Sequence, residues 1–170
     1  MISDWRTKWN QDDFPFIYVQ LPNLGVSMPH PSESGWAEFR QVQLETLHVP
    51  NTEMAVTIDL GEWNDIHPLN KEDVGKRLAF IAQNIVYGEE DIAYTGPRYN
   101  SMTIEGSKVV LSFLYTGSGL VFIGDGEHSQ FAITGKDGKY IWANAEIQGD
   151  KVIVWNDNIK EPVSVRYAWA

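Results

Sequence analysis

Between Met54 and Arg77 the chain reads MAVTIDLGEWNDIHPLNKEDVGKR, which gathers Asp59, Glu62, Asp65 and His67 into one short stretch. An imidazole can take a proton from a hydroxyl near neutral pH, the work of a general base. It needs a carboxylate to fix its ring and tautomer. Asp65, two residues before His67, is the first candidate for that acid, Asp59 the second and Glu62 the third. The same residues also fit a surface loop whose polar groups cap the helix that follows. As oxygen and nitrogen donors, Asp59, Asp65 and His67 could in principle hold a metal. The chain has no His-x-x-x-His spacing, and His30, His48 and His128 stand apart from one another. No metal and no cofactor is therefore assigned.

The elements around this stretch decide where it sits. Met54–Leu60 is apolar and β-branched and reads as a buried strand, with Asp59 at its end. Asn70 to Tyr87 carries Val74, Leu78, Ile81, Ala82 and Ile85 on one helical stripe. Asn70 suits the N-cap, Glu72 and Asp73 suit the first turn, and Gly88 suits the stop. Upstream, Phe14–Leu21 (FPFIYVQL) reads as a strand buried on both faces, as parallel sheets require. Pro22–Pro31 is a loop, and Trp36, Phe39, Leu44 and Leu47 give a helix from about Gly35 to Leu47, broken at Pro50-Asn51. Ile2, Trp5 and Trp9 share one face of a short opening helix. Residues 1–88 thus read α-β-α-β-α, a parallel α/β pattern with only two strands. In such sheets chemistry collects where strands end and loops begin. Two strands are few for a parallel sheet covered on both faces, so this half is expected to be incomplete.

From Gly96-Pro97 onward the character changes. Met102–Glu105, Lys108–Tyr115, Leu120–Ile123, Phe131–Thr134, Tyr140–Ile147, Lys151–Trp155 and Val163–Trp169 are short β-rich runs separated by Gly-containing turns, the pattern of a β-sandwich. Ile104-Glu-Gly-Ser-Lys-Val-Val-Leu echoes Ile147-Gln-Gly-Asp-Lys-Val-Ile-Val, which predicts two hairpins with the same turn chemistry and no ligand site. Tyr140, Trp142, Trp155 and Trp169 are either sandwich core or platforms for sugar rings.

Composition narrows the classes. The hydrophobic content of 43% can build a core. A net charge of −10 without any basic run argues against nucleic acid, whose phosphates need clustered Lys and Arg. No stretch approaches the roughly 20 apolar residues of a membrane span, so no membrane partner is expected. With no cysteine, thiol nucleophiles and disulfides are excluded. There is no Gly-x-Ser-x-Gly elbow; the nearest serine, in Gly25-Val-Ser27, is not assigned as a nucleophile.

Several segments together resemble one family. Ile2-Ser-Asp-Trp-Arg, Asp13-Phe-Pro-Phe-Ile-Tyr-Val-Gln-Leu, Trp36-Ala-Glu-Phe-Arg-Gln-Val-Gln, Met54-Ala-Val-Thr-Ile-Asp-Leu-Gly, Asn64-Asp-Ile-His-Pro-Leu-Asn-Lys, and the tail from Phe131-Ala-Ile-Thr-Gly to Trp169 carry the likeness. The chain resembles the C-terminal part of the sialate 9-O-acetylesterase-like carbohydrate esterases of the SGNH hydrolase superfamily. The resemblance implies a partial flavodoxin-like, three-layer α/β unit over residues 1–95 and a β-sandwich region over 96–170. It implies a Ser-His-Asp site that removes acetyl groups from sialic acid or another acetylated sugar, in a full-length protein that is periplasmic or extracellular. His67 matches the family's late histidine and Asp65 is its orienting acid. The superfamily often has an aspartate three residues before that histidine; here the position is Asn64 and Asp65 is one step closer. The family's serine and its oxyanion donors lie upstream of Met1, so the expected partners are an acetylated carbohydrate and the missing N-terminal half. The alternative is a non-catalytic carbohydrate-binding or interaction module built around residues 97–170.

Overall fold

The computed structural model describes residues 1–123 and 130–169, and His128 lies outside them. It is a mixed α/β structure with three α-helices, one two-stranded parallel sheet and two antiparallel sheets among those residues. The chain divides into two compact units, residues 1–26 with 35–95, and residues 27–34 with 96–170.

The first unit runs α1 (Ile2–Trp9), β1 (Phe16–Val19), α2 (Gly35–Glu45), a 3-10 turn (Thr46–His48), β2 (Thr52–Ala55) and α3 (Lys71–Ile85). β1 and β2 pair in parallel, Phe16 opposite Thr52 through Val19 opposite Ala55. α3 forms where its apolar stripe predicts. The Asn70 side chain accepts from the Asp73 amide at 3.1 Å, and Ile81 is fully buried. In α1 the inner face is Ile2 and Arg6, one turn apart, while the tryptophans stay partly exposed. Arg6 is held there because its guanidinium donates to the Phe14 and Asn51 carbonyls at 2.8 and 3.1 Å. Trp5 packs on Phe16 and Trp9 stacks on Phe14. The chain entering β1 is thus gripped from one side by a cation and two indoles.

β2 departs from the expected Met54–Leu60. It begins at Thr52 and ends at Ala55. The cause is its partner: β1 stops at Val19, and pairing continues only one step further, Gln20 N to the Ala55 carbonyl at 2.9 Å. Beyond it, side chains replace the ladder. Thr57 Oγ1 donates to the Gln20 carbonyl at 2.5 Å, and the Arg77 guanidinium donates to the Val56 carbonyl at 2.6 Å. Asp59 accordingly lies in a turn, not at a strand end.

In the second unit, β3 (Arg98–Glu105), β4 (Lys108–Leu114), β8 (Lys151–Trp155) and β7 (Asn144–Gln148) form an antiparallel sheet in the order β3-β4-β8-β7. β6 (Ile141–Trp142), β5 (Phe131–Thr134) and β9 (Ser164–Tyr167) form the other, in the order β6-β5-β9. Alternate residues of both sheets meet in one core: Val109, Leu111, Val152 and Val154 from the first, Phe131 and Ile133 from the second. The two hairpins of the sequence echo pair side by side through β4 and β8. Each has a glycine at positive φ just after its first strand, Gly106 at 64° and Gly149 at 66°, as a two-residue hairpin loop with glycine first demands.

Two expected strands are corrected. Tyr140–Ile147 is broken at Ala143, whose amide bonds the Phe131 carbonyl. The half before the break pairs with β5 and the half after it with β8, so one apolar run serves two sheets. Leu120–Ile123 forms no strand; it has no pairing partner among the described residues, and Ile123 is 98% exposed. An apolar run does not become a strand without a neighbour to complete its hydrogen bonds.

Candidate active site

The loop that follows β2 carries the four candidates, and two of them meet. The Asp65 carboxylate Oδ1 accepts from the His67 backbone amide at 2.8 Å and lies 3.0 Å from the ring Nδ1. One oxygen therefore fixes both the turn of the chain and the ring. The backbone bond is the ordinary habit of an aspartate two residues before the amide it accepts. The same bond, first, and the ring contact, second, hold the Asp65 carboxyl below the usual carboxylate range. An ionised carboxylate can only accept, so the Nδ1 it faces carries a proton, and in the neutral ring the lone pair is on Nε2. The imidazole is 80% exposed and Asp65 is 48% exposed. Nε2 has no hydrogen-bond partner among the described residues. The ring is thus held at Nδ1 and open at Nε2. No described hydroxyl is bonded to it, and Ser27 lies in the other unit.

Asp59 is engaged elsewhere. Its two oxygens accept from Arg77 Nη1 at 2.6 Å and Nη2 at 2.7 Å. The Arg77 guanidinium beside it keeps the Asp59 carboxyl below the usual range. Arg77 also holds the Val56 carbonyl, so one side chain of α3 clamps both the start of the site loop and its first carboxylate. A lowered carboxyl stabilises the fold above its unfolded value, near 3.8, and that contribution is lost as the pH falls through the lowered folded value. Asp59→Asn is expected to cost a few tenths to about 1 kcal/mol, since the pair is partly exposed and screened. Urea melts of the two proteins at pH 7 and pH 2.5 check this: the difference at pH 7 should shrink at pH 2.5.

The loop is also fastened to the one that follows β1. The Gly25 amide donates to the Trp63 carbonyl at 2.9 Å, and Glu62 bridges Asp65 across the turn. At Gly61 there is room for hydrogen only. An added Cβ would overlap the Asn23 carbonyl and the Pro22 ring, and both are backbone-anchored. Gly61→Ala should therefore cost about 1–3 kcal/mol through overpacking and displace the site loop. A lowered melting temperature, with shifted amide signals from Asn23 to His67, is the expected readout.

Arg77 and Gly61 carry no mark in the sequence. Arg77 is eighteen residues from the carboxylate it binds, and Gly61 reads as an ordinary turn glycine. Among the described residues no group of three or more His, Asp or Glu side chains could hold a metal ion. No described helix is long and apolar enough to cross a membrane. In the second unit the four aromatic rings weighed as sugar platforms are largely engaged. The Arg166 guanidinium lies over Tyr140 at 4.0 Å and over Trp169 at 4.5 Å. Lys108 lies over Trp155 at 4.9 Å, and the Trp142 indole N–H donates to the Pro29 carbonyl. Three of the four thus already hold a protein cation on one face.

Comparison with known proteins gives a consistent picture. No protein-family model matches the chain. Mouse sialate O-acetylesterase is 29% identical over 99% of this chain and 35% of its own length. The human sialate O-acetylesterase is 30% identical over 68% of this chain and 25% of its own. The crystal structure of a carbohydrate acetylesterase from Xanthomonas citri superposes on the whole chain with a TM-score of 0.91 and 42% identity, covering 39% of that protein. The chain is a homologue of the sialate O-acetylesterases, spanning a quarter to about a third of the length of these relatives.

Proposed function

We propose that this chain supplies the base and the orienting acid of a serine-type carbohydrate O-acetylesterase, with the nucleophile on polypeptide outside these 170 residues. One observation carries the reading: within a segment homologous to acetylesterases, His67 Nδ1 lies 3.0 Å from an ionised Asp65 while Nε2 faces outward. On this reading residues 1–95 are the C-terminal part of a flavodoxin-like SGNH unit and residues 96–170 a β-sandwich region.

The chemistry follows from the groups. A serine Oγ attacks the acetyl carbonyl carbon while His67 Nε2 takes its proton. Asp65 holds the ring and stabilises the imidazolium that forms. When the tetrahedral intermediate collapses, the sugar oxygen leaves with that proton and the acetyl group stays on serine. Water then gives a proton to Nε2, attacks the acetyl-serine, and acetate departs as the serine regains its hydrogen. Substrates of this site are O-acetylated sugars, sialic acid among them. The experiment is co-expression of this chain with the part of the Xanthomonas citri acetylesterase that it does not match, followed by assay of acetate release from an acetylated sialoside and an acetylated xylo-oligosaccharide. Release that requires both polypeptides supports the reading; no release from either substrate counts against it.

A further inference from the structure

The sequence has seven tryptophans, and the protein itself engages six of them. Trp5 and Trp9 pack on each other and on Phe16 and Phe14. The Trp36 and Trp142 indole N–H groups donate to the Pro22 and Pro29 carbonyls. Trp155 lies beneath Lys108 and Trp169 beneath Arg166. Trp63 differs: it has no ring contact and no indole hydrogen bond among the described residues, and it is 65% exposed. Tryptophan carries so much apolar surface that leaving it in water forgoes a large gain from burial. An indole left that open marks a surface used in binding.

Its place in the chain ties it to the candidate site. Trp63 stands four residues before His67, a separation of at most about 14 Å even in a fully extended chain. It follows Glu62 in the turn that Glu62 and Asp65 close, and Asp65 is the residue that holds the ring. The Trp63 carbonyl accepts from the Gly25 amide at 2.9 Å. The backbone that carries the indole is therefore fixed, and a platform already in place costs little ordering when a ligand lands on it. Its neighbours are polar. The Glu62 and Asn64 side chains make no hydrogen bond among the described residues. The core of a protein–protein contact is depleted of charged residues, which does not fit an indole flanked by a carboxylate and an amide. A sugar fits it. One face of a pyranose is made of C–H groups that can lie on an indole, and its hydroxyls can donate to carboxylate and amide oxygens.

We propose that Trp63 is the platform for a sugar ring of the substrate, which lies with its C–H face on the indole while its acetyl group reaches His67 Nε2. Trp63 then discriminates acetylated sugars from acetyl esters that have no ring. The inference rests on the proposed function for the chemistry at His67, and on the open, fixed indole for the platform.

Two measurements test it. In the first, this whole chain, labelled with nitrogen-15, is titrated with acetylated xylo-oligosaccharide and, separately, with an acetylated sialoside. The indole N–H signal of Trp63, identified by its loss in Trp63→Phe, should move on addition of at least one of them, and which one moves it distinguishes a neutral from an anionic sugar. In the second, the complemented acetylesterase hydrolyses the same acetylated sugars and ethyl acetate. In Trp63→Ala the ratio of kcat/KM for sugar ester to that for ethyl acetate should fall about tenfold, the size of a lost aromatic contact. Trp63→Tyr, which restores a ring face, should recover most of that ratio. A moving indole signal without acetate release from the complemented protein would count against the proposed function and support the platform. The inference is overturned if neither sugar moves the indole signal, if Trp63→Ala lowers both kinds of substrate equally, or if Trp63→Ala prevents the two polypeptides from assembling, since the indole would then be covered by protein.

Discussion

His67→Ala should lower acetate release by the complemented acetylesterase about 10⁴-fold, with the complex still assembled. The size follows from the role. Without a base at Nε2 the serine must lose its proton to water, and the leaving sugar oxygen must gain one from water. Loss of one member of a serine triad commonly leaves only what substrate binding and oxyanion stabilisation supply. The ring contributes little to stability, because it is 80% exposed and its one described side-chain contact is to Asp65. The thermal midpoint of the variant should therefore stay within about 1 °C of the wild type's, given that surface changes are usually within about 0.5 kcal/mol. A small loss of rate with an unchanged fold would mean that the proton goes elsewhere.

Asp65→Asn should cost on the order of 10²–10⁴-fold in the same assay. The carboxylate can only accept, and so it selects the ring form with hydrogen on Nδ1 and a lone pair on Nε2. An amide can also donate. It no longer enforces that tautomer, and it offers no charge to an imidazolium. The backbone bond from the His67 amide to the side-chain oxygen survives in the amide, so the loop should keep its turn. The effect should thus fall on turnover more than on substrate binding, and measured kcat and KM separate the two. Asp65→Glu, with its longer reach from a fixed turn, should recover little. Because the backbone amide and the ring of His67 hold the Asp65 carboxyl low, the pair should persist on acidification until below the ordinary carboxylate value of 3.8.

How much of this could be read from residues alone depended on how local the cause was. α3 was legible because its stripe, its Asn70 cap and its acidic first turn all lie within one segment. The pairing of Asp65 with His67 was legible for the same reason: two residues of one loop meet through a turn that aspartate makes by itself. The end of β2 was not, because it is set by where β1 stops, over thirty residues earlier in the chain. Asp59 illustrates the limit most clearly. By spacing it was a second candidate for the acid, yet a bidentate contact to Arg77 on the next helix removes it from the ring. The split of Tyr140–Ile147 between two sheets and the absence of a strand at Leu120–Ile123 are likewise decided by neighbours that the local pattern does not contain.

The most direct measurement is labelling of the nucleophile by a fluorophosphonate, followed by mass spectrometry of the complemented acetylesterase. If His67 activates a serine on the other polypeptide, the label should appear on that serine with the wild-type chain present and fall to background with His67→Ala. Equal labelling with the variant, or equal labelling of the serine-bearing polypeptide by itself, would contradict the assignment of the base to His67.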